Sequence, residues 1–383
     1  MFIKAAICIS PQETFFPPPV QTVGDNLGKD GIFEVQTVGD SLSKDGIFGS
    51  ENNAGGLYVH NGDKYFAKEP SYEGLIQAGV LRRMGKAVRM GVGAGVQILR
   101  SAPEVDGIII GTANGGLEDC IRFLNQIVDY NEGTLTPTNF VQSTPNAIAG
   151  QLALLHRNTG YNITHVHGGL SFENALTDAS LLFEQGQAGT LLVGGIEEIS
   201  EYNHNIDRLS GIFKEQPGSS ASLLASTTAG TVNGEGAAMF LLERQASQSG
   251  QVRIRQVTTL SFVSQEQVQE RLALMLAGCG LDTGGVDALM LGYNGDVDSA
   301  GWYDRIRGLF DAGIPVLSFK NACGEYPTAS AFAVWLGYQF LAKQHIPPEL
   351  LYSGKMNQEP RNLLIYNHYR GEQHSFILLD LTR

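Results

Sequence analysis

Residues 161–195 read YNITHVHGGLSFENALTDASLLFEQGQAGTLLVGG, and this stretch decides the fold. NITHVHGG reads as a short strand ending on two glycines. From there the pattern changes: Phe172, Ala175, Leu176, Ala179, Leu182 and Phe183 recur at three- and four-residue steps. That spacing predicts a helix over 171–185 with one apolar face and with Ser171 at the N-cap position. TLLVGG (190–195) then reads as a buried strand. The Gly168-Gly169 turn lets backbone come close to whatever lies at the helix N-terminus, where unpaired amides and the helix dipole favour an anion or a thiolate.

Outward from this unit, apolar strand-like runs alternate with helical patterns. Further strands are expected at 107–112, 237–243, 287–293, 314–319, 362–366 and 375–380, and further helices over about 71–86, 117–130, 144–158, 265–279, 302–312 and 326–344. The alternation predicts an α/β protein with a mixed sheet covered by helices. Two rounds of it meet near residues 244–255, a polar and turn-like stretch, which divides the chain into halves of residues 1–245 and 246–383. Within the first half, QTVGDNLGKDGIFEV (21–35) recurs as QTVGDSLSKDGIFGS (36–50) with 11 of 15 positions identical. Two copies are too few for a solenoid, so a surface excursion is expected.

At 383 residues, 43% of them hydrophobic and 17% charged, the chain can bury a substantial core, which excludes a disordered or fibrous protein. Its 26 Lys plus Arg against 39 Asp plus Glu, a formal charge of −13, argue against a nucleic-acid surface and disfavour anionic lipid or an acidic protein partner, unless a local basic patch compensates. The opening MFIKAAICIS lacks the pattern of a secretory signal, and no run approaches a membrane span, so a cytoplasmic location is expected. Cys8, Cys120, Cys279 and Cys323 form no CxxC pair and share no metal-ligand spacing with the histidines. Buried free thiols, and no metal or other cofactor, are the expectation.

The 161–195 unit resembles the nucleophile region of the β-ketoacyl synthases of the thiolase superfamily. Four further segments agree with that family in order and spacing: IKAAICISPQ (3–12), STPNAIAGQLAL (143–154), VNGEGAAMFLLE (232–243) and KNACGEYPTASAFA (320–333). The resemblance spans nearly the whole chain and implies a thiolase fold, two similar halves giving α-β-α-β-α layers. In that family a cysteine at the helix start attacks the acyl thioester, and two histidines support decarboxylation and stabilise the oxyanion. Counting back from Gly186, the cysteine position falls on Gly169. The first histidine's turn corresponds to Asn294-Gly295-Asp296, and an asparagine can donate a hydrogen bond without shuttling a proton. The second histidine, counted from Lys320, falls on Glu325, whose charge would repel an oxyanion and which can pair with Lys320 instead. In the loop 367–373, Arg370 stands about where the family has an aromatic gate.

Such losses resemble those of chain-length factors, including the subunits of aryl polyene pathways: non-catalytic partners of an active ketosynthase in type II polyketide systems, in a heterodimer or a dimer of heterodimers. The resemblance implies that the partner receives the acyl carrier protein and that this chain helps shape the tunnel. The glutamine that actinomycete chain-length factors usually carry at the cysteine position is absent here. In the family, the helix 117–130 and the stretch 139–154 border the dimer contact. Leu117, Ile121, Leu124 and Val128 lie at helical spacing and either close the end of the partner's tunnel or pack in an ordinary core.

Two other readings stand beside this one. An acyltransferase or hydrolase-like enzyme would need its own nucleophile: Ser171, with His165 and His167 nearby, or Cys323. An N-cap is the plainer role for Ser171, and a carboxylate beside Cys323 would raise its thiol pKa. A homodimeric protein holding an acyl chain in a remnant pocket is the third possibility.

Overall fold

The computed structural model describes residues 1–12, 56–102, 104–133, 135–343, 347–356 and 359–382; the duplicated segment 21–50 lies outside them. One sheet gathers β1 (Phe2–Ile9), β2 (Gly107–Gly111), β3 (Tyr161–His165), β4 (Thr190–Glu197), β5 (Gly236–Glu243), β6 (Val252–Ser261), β7 (Ala288–Leu291), β8 (Val316–Ser318), β9 (Leu351–Ser353), β10 (Asn362–Tyr369) and β11 (Gln373–Leu381). Their order across it is β9-β8-β7-β10-β11-β6-β1-β5-β4-β2-β3.

The same pattern occurs twice. β2 is parallel to β3 and β4, while β5 is antiparallel to both β4 and β1. β7 is likewise parallel to β8 and β10, while β11 is antiparallel to both β10 and β6. Thus β3-β2-β4-β5-β1 and β8-β7-β10-β11-β6 share order and direction, and they join where Phe2 of β1 pairs with Arg253 of β6 and Met1 exchanges backbone hydrogen bonds with Ile254. These are the two similar halves that the thiolase resemblance implies.

Strand periodicity builds the layers. Ile108 and Ile110 enter an outer core with the helices Lys86–Ser101 and Ala147–His156, whereas Ile109 between them turns to a central core with the helices Ser171–Glu184 and Ala329–Lys343. In the second half Ile365 and Ile377 face that central core, and Leu364, Phe376 and Leu378 face a third core under the helices Gln265–Gly278 and Val297–Arg307. Both faces of the sheet are covered, which is why its strands read as nearly unbroken apolar runs. Among the described residues, no helix is long and apolar enough to cross a membrane.

Several elements differ from expectation. The helix expected over 71–86 is reduced to Ala78–Leu81, and the main helix follows it as Lys86–Ser101. Gly91, Gly93 and Gly95 weaken helix propensity, but their missing side chains make room for Ile148, Tyr72 and Leu152. The helix expected over 302–312 begins earlier, at Val297, behind an Asp296 cap. β6 and the helix Glu201–Leu209 had no sequence signal strong enough to name them, since both are largely polar and partly exposed.

Candidate functional site

The Gly-Gly turn folds as a short 3₁₀ segment, Gly168–Leu170, running directly into the helix Ser171–Glu184. Leu170 is the N-cap, which corrects the expectation for Ser171. Ser171 is the first helical residue and is fully buried; its hydroxyl donates to Gly168 O at 2.8 Å and accepts the His167 N–H at 2.9 Å. The hydroxyl therefore closes the turn. His165 hydrogen-bonds Asp178 at 2.9 Å rather than Ser171, so a nucleophile–base pair is not assembled there.

Gly169 is buried against the far half of the molecule. A Cβ added to it would overlap Tyr369 Cβ and lie 2.7 Å from that ring's Cγ and 3.1 Å from Cδ1. The space that a side chain at 169 would need is filled by Tyr369, the last residue of β10. Sequence counting put Arg370 at the gate; the residue facing the turn is the aromatic one before it. Arg370 instead reaches Asp207 of the helix Glu201–Leu209 at 2.8 Å. Tyr369 was missed because counting along the loop fell one residue late, on Arg370.

The other three positions come together. Lys320 Nζ, wholly buried, donates to Glu325 Oε1 at 2.8 Å and Oε2 at 2.7 Å, the ion pair anticipated from the sequence, and also to His368 O at 3.2 Å. Asn294 Nδ2 donates to Glu325 Oε2 at 2.8 Å. Both carboxylate oxygens are thus committed to internal donors, leaving little capacity for a substrate. Two imidazoles lie around the site, each held at both nitrogens. His368 meets Ser299 O and the Gly371 N–H, and His204 meets Asp63 and Asn233. Burial pushes the His368 pKa well below its usual value, so this imidazole stays neutral.

Cys323 is fully buried, and loss of solvation holds its thiol well above the ordinary range, as expected of an inert thiol. Tyr369, Glu325 and His204 share a cavity of only about 40 Å³, room for water but not for an acyl chain. A larger cavity of about 470 Å³, which shares Glu198 and Ile199 with the first, lies beside Arg83, Glu118, Asp119 and Gln142, and its charged lining does not suit an acyl chain either.

At the end of β4, Glu197 and Glu198 bind opposite surroundings, a pair that sequence reading passed over. Glu197 accepts the Ala113 and Asn114 N–H groups; Glu198 accepts the Ala87 N–H at 3.1 Å and the Glu118 N–H at 3.4 Å, tying two helix starts together. Desolvation outweighs these donors and pushes the Glu197 carboxyl up to about 8 and that of Glu198 up to about 7. The unfolded chain ionises Glu197 near its ordinary 4.5, while the native protein keeps it protonated up to about 8. Stability is therefore expected to fall as pH rises across that window, by on the order of a few kcal/mol, and to level off above it. Glu197→Gln should flatten this slope in urea titrations at pH 5 and pH 8, and an unchanged slope in that variant would refute the assignment.

On the helix Leu117–Asp129, Leu117 and Ile121 are half-buried, whereas Leu124 is 53% and Val128 78% exposed. Ordinary core packing is therefore excluded for the latter two. Phe140 (57%) and Val141 (60%) continue the apolar surface, with Phe123 and Phe140 in ring contact at 5.3 Å.

The sequence profile of the β-ketoacyl synthase N-terminal domain matches residues 65–276. A search of curated protein sequences finds no significant match. Among solved structures, the ishigamide ketosynthase/chain length factor superposes with a TM-score of 0.74 at 14% identity, covering 99% of this chain and 98% of that one. A β-ketoacyl synthase from Burkholderia phymatum STM815 gives 0.68 at 17% identity, covering 86% and 93%. The ketosynthase ApeO in complex with its chain length factor ApeC, from Xenorhabdus doucetiae, gives 0.66 at 17% identity, covering 100% and 98%. At such identities the superpositions establish the fold. The profile, matched over more than half of the chain and joined to a duplicated α/β architecture, establishes more: the chain belongs to the β-ketoacyl synthase family.

Proposed function

We propose that this chain is a non-catalytic, chain-length-factor-type subunit that pairs with an active β-ketoacyl-ACP synthase and shapes the tunnel for its growing acyl or polyene chain. The pathway is of the type II polyketide kind, aryl polyene-like, in the cytoplasm. Gly169, Asn294 and Glu325 are the degenerate catalytic positions and Lys320 is structural; the halves divide between residues 245 and 246. The observation that carries this reading is the Tyr369 side chain in the space a nucleophile at 169 would need. The Lys320–Glu325–Asn294 network, tied up with itself, supports it. So do solved relatives whose titles name a ketosynthase with its chain length factor.

The partner face follows from exposure. β3 is an edge strand of the sheet, and among the described residues Leu124, Val128, Phe140 and Val141 leave apolar surface exposed on the same half. A ketosynthase subunit covering this surface would meet Leu117, Ile121, Leu124 and Val128 at the end of its tunnel. Val128→Glu is expected to leave folding intact, because the side chain is exposed, and to weaken co-purification with a co-expressed ketosynthase by about 2 kcal/mol, roughly 30-fold. Retained co-purification would place the contact elsewhere.

Incubation with an acyl carrier protein bearing an acyl thioester, followed by intact-mass measurement, tests the non-catalytic assignment. No adduct is expected on this chain. An adduct mapped to Ser171 or Cys323 would establish the enzyme reading instead.

A further inference from the structure

The hairpin joining β10 to β11 is pinned to the opposite half of the molecule. Its turn, Tyr369-Arg370-Gly371-Glu372, closes with the Glu372 N–H donating to Tyr369 O at 3.1 Å. Arg370 and Gly371 have φ of 56° and 65°, the left-handed pair of a type I′ turn. Glycine adopts this freely; arginine does so at a cost, offset here by the Asp207 ion pair and by its position over the Tyr369 ring, 5.1 Å away.

The next residue, Gln373, crosses to the strand–helix turn. Its Oε1 accepts the Gly169 N–H at 2.7 Å, and its Nε2 donates to His167 O at 3.2 Å. Leading into the helix Ser171–Glu184, the Gly169 amide is the kind of donor that would otherwise hold a carbonyl oxygen or an anion. A carboxamide suits this place because it accepts from one backbone group and donates to another at once; a carboxylate could not make the second bond. Tyr369 fills the adjoining side-chain space.

We infer that Gln373 and Tyr369 together form a built-in ligand, a carboxamide on the Gly169 amide and a ring beside it, which closes this subunit's pocket to acyl thioesters and leaves loading to the partner's pocket alone. The inference rests on the non-catalytic reading proposed above, but it can fail separately.

Hydrogen exchange of residues 167–171 in the full chain tests the first half. Gln373→Met keeps bulk while removing both hydrogen bonds, and should speed exchange of the Gly169 amide by about 100-fold. The second half is tested with S-octanoyl-N-acetylcysteamine as a soluble thioester probe, by ligand-observed NMR. Wild type should not bind it, whereas Tyr369→Gly combined with Gln373→Ala should. Unchanged exchange in Gln373→Met overturns the inference. So does probe binding equal in wild type and double variant, or faster exchange in a folded double variant that still binds nothing. Should the double variant not fold, the exchange measurement on Gln373→Met decides by itself. A covalent acyl adduct on wild type would defeat the non-catalytic reading without depending on either measurement.

Discussion

Gly169→Cys is expected to destabilise the protein by about 3 kcal/mol and to return no condensing activity. Its new Cβ would overlap the Cβ of Tyr369, an atom that cannot swing away as a side-chain tip would. Tyr369 is held in register with Gln373 across β10 and β11, so relief requires the hairpin backbone to move. Activity stays absent because the buried imidazoles near the site are not free: His368 and His204 are both committed at each nitrogen. Denaturant midpoints and a condensation assay with carrier-bound malonyl groups check both parts. Adding Tyr369→Gly should recover much of the lost stability, a non-additive pair, again without activity. An unchanged midpoint for Gly169→Cys would mean that the space is not occupied as described.

Glu325→Gln should cost about 3–5 kcal/mol, because it leaves the fully buried Lys320 ammonium without a counter-charge. The remaining acceptors around Nζ, His368 O at 3.2 Å and Tyr303 OH at 3.5 Å, are neutral and cannot balance it. Replacing both partners by apolar residues, Lys320→Met with Glu325→Leu, should cost much less than the single change, since the buried charges disappear together. Glu325→His would place an imidazole beside Lys320 without restoring the counter-charge, so it too should destabilise and leave condensation absent. A full set of chemical-denaturation curves forms the double-mutant cycle. Additive single and double values would show that the two side chains do not act as a pair.

The strands that pack on both faces were plain in the sequence because each is a run of apolar residues, and the helices at 117 and 171 because their apolar positions repeat with a helical period. β6 and the helix Glu201–Leu209 were not, for their faces are part polar and part exposed. Lys86–Ser101 was hidden by glycines that count against a helix locally and in its favour once Ile148, Tyr72 and Leu152 are packed on them. Likewise, Ser171 followed the rule for N-caps, and a 3₁₀ turn beforehand moved it one place into the helix.

The sequence by itself determined which residues stand at these places, glycine at 169, asparagine at 294 and glutamate at 325, for residue identity at a place in a motif is local information. It also suggested the Lys320–Glu325 pair, whose members lie five positions apart. Only the tertiary structure decided what lies against Gly169. Tyr369 and Gln373 come from the other half of the chain, Gln373 from 204 positions beyond Gly169, and no periodicity or spacing reports a contact between residues that the packing of the two halves alone brings together.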